Sequence, residues 1–208
     1  MGAATKILIG IVVVAVIIGL GLISSYNHLV NLQQATDAEW AQVQNVYQRR
    51  ADLVPNLVST VSGAANFEKS TIVEVTQARA SVGRVQLSMG SAPTDPAQLA
   101  AFQEAQNTLG GALTHLLAVS ERYPTLKATE NFRDLQAQLE GTENRIAVER
   151  ERFNEATQAY DTAIRHFPTV VIAGMFGFQA KPYFTATPGS AAPPQVKFDF
   201  GGAAPAKP

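Results

Sequence analysis

Residues 132–167 read FRDLQAQLEGTENRIAVERERFNEATQAYDTAIRHF. Phe132, Leu135, Leu139, Thr142, Ile146, Glu149, Phe153, Ala156, Tyr160, Ala163 and Phe167 advance by alternating threes and fours, and nine of these eleven are apolar. An α-helix turns once every ~3.6 residues, so positions at this spacing fall on one stripe. Held over this length, the spacing predicts a long amphipathic helix packed in coiled-coil fashion against antiparallel neighbours. Glu143, Arg145, Arg150, Glu151 and Arg152 lie off the stripe and read as a solvated charged face. Phe167-Pro168 ends the run, because proline cannot donate to the preceding turn.

The same logic extends upstream. Tyr123-Pro124 is a corner, and Leu99, Phe102, Leu109, Leu113, Leu116 and Tyr123 mark another amphipathic helix. Its start is signalled by the loop GSAPTDP at 90–96, with Asp95 as the N-cap and Pro96 as the first helical residue. Gly110-Gly111 either loosens this helix or admits a neighbouring backbone. Between Asn27 and Ser88, Trp40, Val43, Tyr47, Arg50, Val54, Leu57 and Val61 repeat the three-four alternation. Pro55 lies inside this run and predicts a kink near Ala51 to Val54. Gly63 is a second candidate break, and it decides whether the bundle has three or four long helices. No strand pattern of any length occurs in this body.

Two charges interrupt the apolar seams, Arg50 and Glu149. A charge taken into a seam must be paired, or its burial costs several kcal/mol. Arg50 is therefore expected to be buried and bonded to Glu149, Glu143 or Asp52, or to backbone carbonyls. The competing reading makes Arg49, Arg50 and Asn56 the wall of a polar pocket for an acidic or lipid-like ligand.

At the N-terminus, Ile7 to Ile23 reads ILIGIVVVAVIIGLGLI, 17 residues without a charge or a hydrogen-bonding side chain. At ~1.5 Å per residue this spans roughly 26 Å, close to the ~30 Å hydrocarbon core of a bilayer. Lys6 can snorkel on one side, and Tyr26 stands where an interfacial aromatic belongs on the other. A cleaved signal peptide is the alternative. The apolar run is longer than the usual ~7–15 residue core of such peptides, and no small-residue cleavage pattern follows. Lys6 precedes the span and the next basic residue after it is Arg49, so the positive-inside rule places the N-terminus in the cytoplasm and the body on the exported side.

The other end differs again. TVVIAGMFGFQAKPYF at 169–184 is apolar but too short to span, and its Gly and Pro argue against a regular helix. Leaving it in water would expose a contiguous apolar patch, so it is expected to fold back and dock Phe176, Phe178 and Phe184, with Gly174 and Gly177 allowing close apposition. Residues 185–208 read as a disordered Ala/Pro/Gly-rich tail, with VKFDF at 196–200 as its one alternating stretch. The expected organisation is an anchor at 1–25, a helical bundle at 26–168, a docking segment at 169–184 and the tail.

Chemistry is hard to find in this chain. Without cysteine there is no thiolate ligand or nucleophile, and a net charge of −1 supplies no basic field for nucleic acid. His28, His115 and His166 are scattered and lack metal-ligand spacing. No catalytic residue, cofactor or metal site is assigned.

Four stretches carry a family resemblance. They are YNHLVNLQQ from Tyr26, AEWAQVQNVYQRRADLVPNLV from Ala38, YPTLKATENFRDLQAQLEGTENRIAVERERFNEA from Tyr123, and FPTVVIAGMFGFQAKPYF from Phe167. In this order they resemble the LemA family of bacterial membrane-anchored helical proteins, with Arg49-Arg50-x-Asp52-Leu53-x-Pro55-Asn56-Leu57 as the most specific piece. Thr129 departs from the resemblance, which has Asn before Glu130, although Thr can still cap a helix there. The resemblance implies an anchor and a long-helix bundle, and it implies no enzymatic activity. With the residues, it gives an all-α expectation: an N-terminal transmembrane helix followed by a bundle of three or four long antiparallel helices. The function expected is a non-enzymatic structural or interaction protein of the bacterial inner membrane. Its partners would be the lipid bilayer through Ile7–Ile23, further copies of itself and an envelope protein, with no nucleic acid. Arg49, Arg50, Asp52, Pro55, Asn56, Glu143, Glu149, Phe176, Gly177 and Phe178 are the residues expected to carry structure or interaction.

Overall fold

The computed structural model describes residues 2–64, 67–86 and 90–185, with only the backbone at 86. Among the described residues there are six helices and no strand. They are α1 (Ala3–Ser62), α2 (Lys69–Gln86), α3 (Pro96–Ser120), the short α4 (Pro124–Lys127), α5 (Glu130–Arg165) and α6 (Thr169–Phe176). The chain turns after Ser62 at Gly63, so α1, α2, α3 and α5 form a bundle of four long helices.

Side-chain pairings fix the directions. Arg50 on α1 meets Glu143 on α5, while Leu29 shares an apolar cluster with Tyr160 and Ile164, so α1 and α5 run antiparallel. Tyr47 meets Phe102 and Arg50 meets Gln106, so α1 and α3 run parallel. Glu74 in the first part of α2 meets His115 in the last part of α3, and Phe67 just before α2 meets Tyr123 just after α3, so α2 and α3 run antiparallel. The topology is up-down-up-down, which short connections favour.

The seam of α1 is buried at every position from Trp40 to Val61 that the alternation selects. Helix α1 continues through Pro55. Proline leaves the carbonyl four residues earlier, that of Ala51, without its helical donor. Arg79 on α2 supplies one, its Nε donating to Ala51 O at 2.9 Å. The defect that sequence marks as a kink is therefore also a point of attachment for the next helix. Asp95 caps α3 as expected, accepting from Ala97 N at 2.8 Å. Thr129 precedes α5 but makes no side-chain cap; its hydroxyl donates back to Leu126 O at 2.7 Å. Neither glycine of the Gly110-Gly111 pair admits a backbone: a Cβ at Gly110 would meet Arg50 Nη1 at 3.6 Å, and one at Gly111 would meet open space.

Two expectations need correction. Residues 169–176 do form a helix, α6, and the glycine that matters is Gly177, which ends it in the left-handed region at φ 74°. That conformation is cheap only without a Cβ. Phe167, the last position of the α5 stripe, is 85% exposed, because α5 stops at Arg165 and the chain leaves the seam before reaching it. The Ala/Pro/Gly-rich tail from 186 onward, with its alternating stretch VKFDF, lies outside the described residues.

The first part of α1 is unlike the rest. Every large side chain from Ile7 to Ile23 is 42–64% exposed, whereas Leu29 is fully buried. Helix α1 thus carries a segment long and apolar enough to cross a membrane, and the same helix continues as the central strut of the bundle.

Candidate functional site

The bundle interior is layered. An apolar cluster at the end far from the N-terminal span includes Val54, Leu57, Leu109, Phe132 and Leu139. A middle cluster gathers Trp40, Tyr47, Phe102, Phe153 and Phe184. A third, at the base, holds Leu29, Tyr160, Ile164, Ile172 and Ala173. A buried cation stands between each adjacent pair.

The upper polar layer is built on Arg50, which is only 4% exposed. Its Nη2 donates to Gln106 O at 2.9 Å and to Gln106 Oε1 at 2.6 Å, and its Nη1 donates to Glu143 Oε1 at 2.9 Å. One planar guanidinium thereby ties α1 to α3 and α5, a geometry a lysine could not reproduce. Tyr47 adds its ring face 5.0 Å from the guanidinium carbon. Arg50 Nε and Gln106 Nε2 are buried without a protein partner. Such groups cost about 1–3 kcal/mol each, so the layer is poorly explained as a device for raw stability. A buried polar layer that fixes which helix faces meet is the better-attested use.

The lower layer is built on Lys181, which follows α6 and is also 4% exposed. Its Nζ donates to Asp37 Oδ1 of α1 at 2.8 Å, while its backbone N–H donates to Asp161 Oδ1 of α5 at 3.0 Å. Asp37 also accepts from Ala92 N at 3.2 Å, in the connection before α3. The stretch 178–185 is a strap running back up the bundle. Asn154 of α5 grips it like a strand partner: its Nδ2 donates to Phe184 O at 3.0 Å and its Oδ1 accepts from Phe184 N at 2.9 Å. Arg150 covers the Phe184 ring at 4.8 Å and donates to Thr185 O at 3.0 Å. Phe184 itself fills the middle layer against Trp40, Phe102 and Phe153.

Of the residues expected to matter, the structure unites Arg50 and Glu143 and separates the others. Glu149 turns aside to Arg152 at 3.3 Å and does not meet Arg50. Arg49 and Asp52 are exposed, with Asp52 accepting from Gln48 at 2.7 Å. Asn56 is exposed in a groove of about 380 Å³ shared with Thr60, Asn131, Asp134 and Gln138. Neither Arg49 nor Arg50 lines that groove, so the three do not converge on one pocket. Phe178 packs on the base cluster, while Phe176 stays 61% exposed with its ring 4.9 Å from that of Tyr26. The docking segment thus seats on its own bundle, through Ile172, Ala173, Phe178 and Phe184.

Sequence reasoning missed Gln106, Asp37, Asp161, Asn154 and Lys181. Gln106 was within reach, since it sits between Phe102 and Leu109 on their stripe. Lys181 lies in a segment with no helical period and gave no such signal.

The clefts contain little free chemistry. One of about 600 Å³ lies between α5 and the strap, where Arg150 and Asn154 are engaged by Phe184 and Thr185 and Glu151, Glu155 and Tyr183 complete the wall. Among the described residues no three His, Asp or Glu side chains are grouped as a metal site. Burial pushes the Tyr47 hydroxyl above its ordinary pKa of 10.0, with Arg150 and Arg50 pulling part of the way back. Burial also raises Tyr160, and there the neighbouring Asp161 and Asp37 push it further up.

The LemA family profile matches residues 39–198. The chain is also similar to magnetosome protein MamQ 1 and MamQ 2 of Paramagnetospirillum magneticum, each 28% identical over 187 residues that cover 83% of this chain and 69% of the relative. Magnetosome protein MamQ of Magnetospirillum gryphiswaldense is 28% identical over 193 residues, covering 84% and 71%.

Proposed function

The chain belongs to the LemA family, and from that membership we propose that it is a membrane-anchored, non-enzymatic structural protein of the bacterial envelope, which assembles with copies of itself or scaffolds an envelope partner. The observation that carries this reading is α1. One uninterrupted helix, Ala3–Ser62, supplies both the apolar span and the central strut of the bundle. A bundle fixed rigidly to its anchor is confined to a plane, which raises the effective concentration of its outer faces toward one another. The buried ionic groups support the same reading, because Arg50 and Lys181 are spent on internal contacts. The N-terminus is assigned to the cytoplasm and the body to the exported side of the inner membrane, on the strength of Lys6 before the span.

The test begins with membranes washed in high salt and carbonate, where the protein should remain in the pellet, and deletion of 1–25 should release it. The retained protein is then extracted in detergent and its mass measured across a wide concentration range. A strictly monomeric particle throughout would remove self-assembly from the proposal, and crosslinking in intact membranes that captures no neighbour would remove scaffolding.

A further inference from the structure

Helix α6 presents an apolar face that the bundle does not cover. Ile172 and Ala173 are buried against Leu29 and Ile164, while Val170 and Val171 are 42% and 49% exposed and Met175 is 73% exposed. At ~100° per residue, Val170, Val171, Gly174 and Met175 share one side of the helix and the buried pair the other. Phe167, just before α6, adds a ring that is 85% exposed. Helix α6 carries no charged residue. Contiguous apolar surface of this kind marks a binding surface and not an ordinary solvated face.

Its position on α1 indicates the occupant. The rings of Phe176 and Phe178 lie 4.9 and 5.8 Å from that of Tyr26, and Ile172 and Ala173 share a cluster with Leu29. Tyr26 and Leu29 follow Ile23, the last residue of the apolar span, by three and six positions on the same unbroken helix. At ~1.5 Å per residue, α6 therefore sits about 4–9 Å beyond the end of the span. The headgroup region of a bilayer extends roughly 5–7 Å beyond the hydrocarbon on each side. Aromatic and aliphatic side chains are favoured at that depth. Arg165, at the end of α5 shortly before α6, has a side chain 72% exposed that lies 3.9 Å from Asp161 Oδ2, and an exposed guanidinium at this level is suited to lipid phosphate.

We propose that α6 is a second membrane contact: an interfacial helix whose Val170, Val171 and Met175 enter the headgroup–acyl boundary of the leaflet from which α1 emerges. Helix α6 would then act as a collar, holding the bundle at a fixed height and tilt over the bilayer. The proposal rests on reading Ile7–Ile23 as a membrane span.

The chain contains no cysteine, so single-cysteine variants of the full-length protein can each carry one environment-sensitive fluorophore. Met175→Cys probes α6, Ile17→Cys the middle of the span, and Val148→Cys an exposed position on α5. The labelled proteins are reconstituted into vesicles of phosphatidylcholine and phosphatidylglycerol containing lipids with a nitroxide either near the headgroup or deep in the acyl chain. The expected result is a blue shift at position 175 with loss of most of its emission to the shallow nitroxide. Position 17 should lose its emission to the deep nitroxide, and position 148 to neither. A label at 175 that stays red-shifted and is quenched by aqueous iodide overturns the proposal. So does a blue-shifted label that neither nitroxide touches, which would place a second protein copy on α6. If position 17 escapes the deep nitroxide, the span itself is misread and the collar falls with it. Quenching at 17 without quenching at 175 leaves the anchor intact and refutes the collar alone.

Discussion

Arg50 and Lys181 are both almost fully buried, both pair with a carboxylate, and both lie between apolar layers, yet they do different work. Arg50 belongs to a helix and reaches sideways, joining three helices at one level through a guanidinium with fixed donor directions. Lys181 belongs to an extended strap, and its ammonium fastens that strap to α1 while its own backbone N–H is held by α5. The first sets how the helices of the bundle face one another. The second sets where the chain that leaves the bundle is laid down. A buried cation inside a periodic element is a registration device, and one in an irregular element is a latch.

The largest effect that separates the two should come from Arg50→Ala. It strands Gln106 and leaves a cavity among three helices, and truncating a buried side chain of this size with loss of its hydrogen bonds costs about 3–5 kcal/mol. Denaturant melts of the protein lacking 1–25 should show that loss as one cooperative shift. Arg50→Lys should recover only part of it, since a single ammonium cannot reach Gln106 and Glu143 with the same fork. An unchanged midpoint for Arg50→Ala would dismantle the comparison.

Lys181→Met should cost less, about 1–3 kcal/mol, because methionine fills much of the same space and Asp37 keeps its bond from Ala92 N–H. The more telling readout is local. Amide exchange should accelerate across 178–185 while the α1, α3 and α5 core keeps its protection. Uniform acceleration through the bundle would mean that Lys181 is as global as Arg50.

Glu143→Gln should be smaller still, about 0.5–1 kcal/mol, since the Glu143 side chain is 45% exposed and solvent screens its pairing with Arg50. Its smallness against Arg50→Ala would show that Gln106 and burial, more than the ion pair, hold the upper layer. A loss as large as that of Arg50→Ala would reverse that ranking.

The two layers also differ in alkali. Tyr47 lies among cations and Tyr160 among carboxylates, and burial raises both hydroxyls above 10.0. A hydroxyl whose pKa is raised in the fold contributes stability that is fully present below the unfolded value and is lost as pH rises through the folded one. Stability should therefore hold up to about pH 10 and then fall. Tyr160→Phe should flatten that fall, and an unaltered alkaline profile in this variant would show that Tyr160 does not gate it.

Much of the molecule is legible in the sequence, and for one reason. The alternation of threes and fours reports the face that a single helix buries, so Trp40 to Val61 and Phe132 to Tyr160 reveal long helices before any neighbour is known. It also marks Arg50 as a buried charge, because a cation on an apolar stripe goes where the stripe goes. The N-terminal span is equally self-contained, since its apolarity and length compare directly with the bilayer. The tertiary structure alone decided which carboxylate meets Arg50, that Arg79 completes the helix at Pro55, that 169–176 is helical, and that Lys181 lies inside. A period describes one element about its own axis. Pairings between elements depend on their relative register and rotation, and an irregular strap has no period to read, so only the assembled fold fixes where Lys181 and Phe184 come to rest.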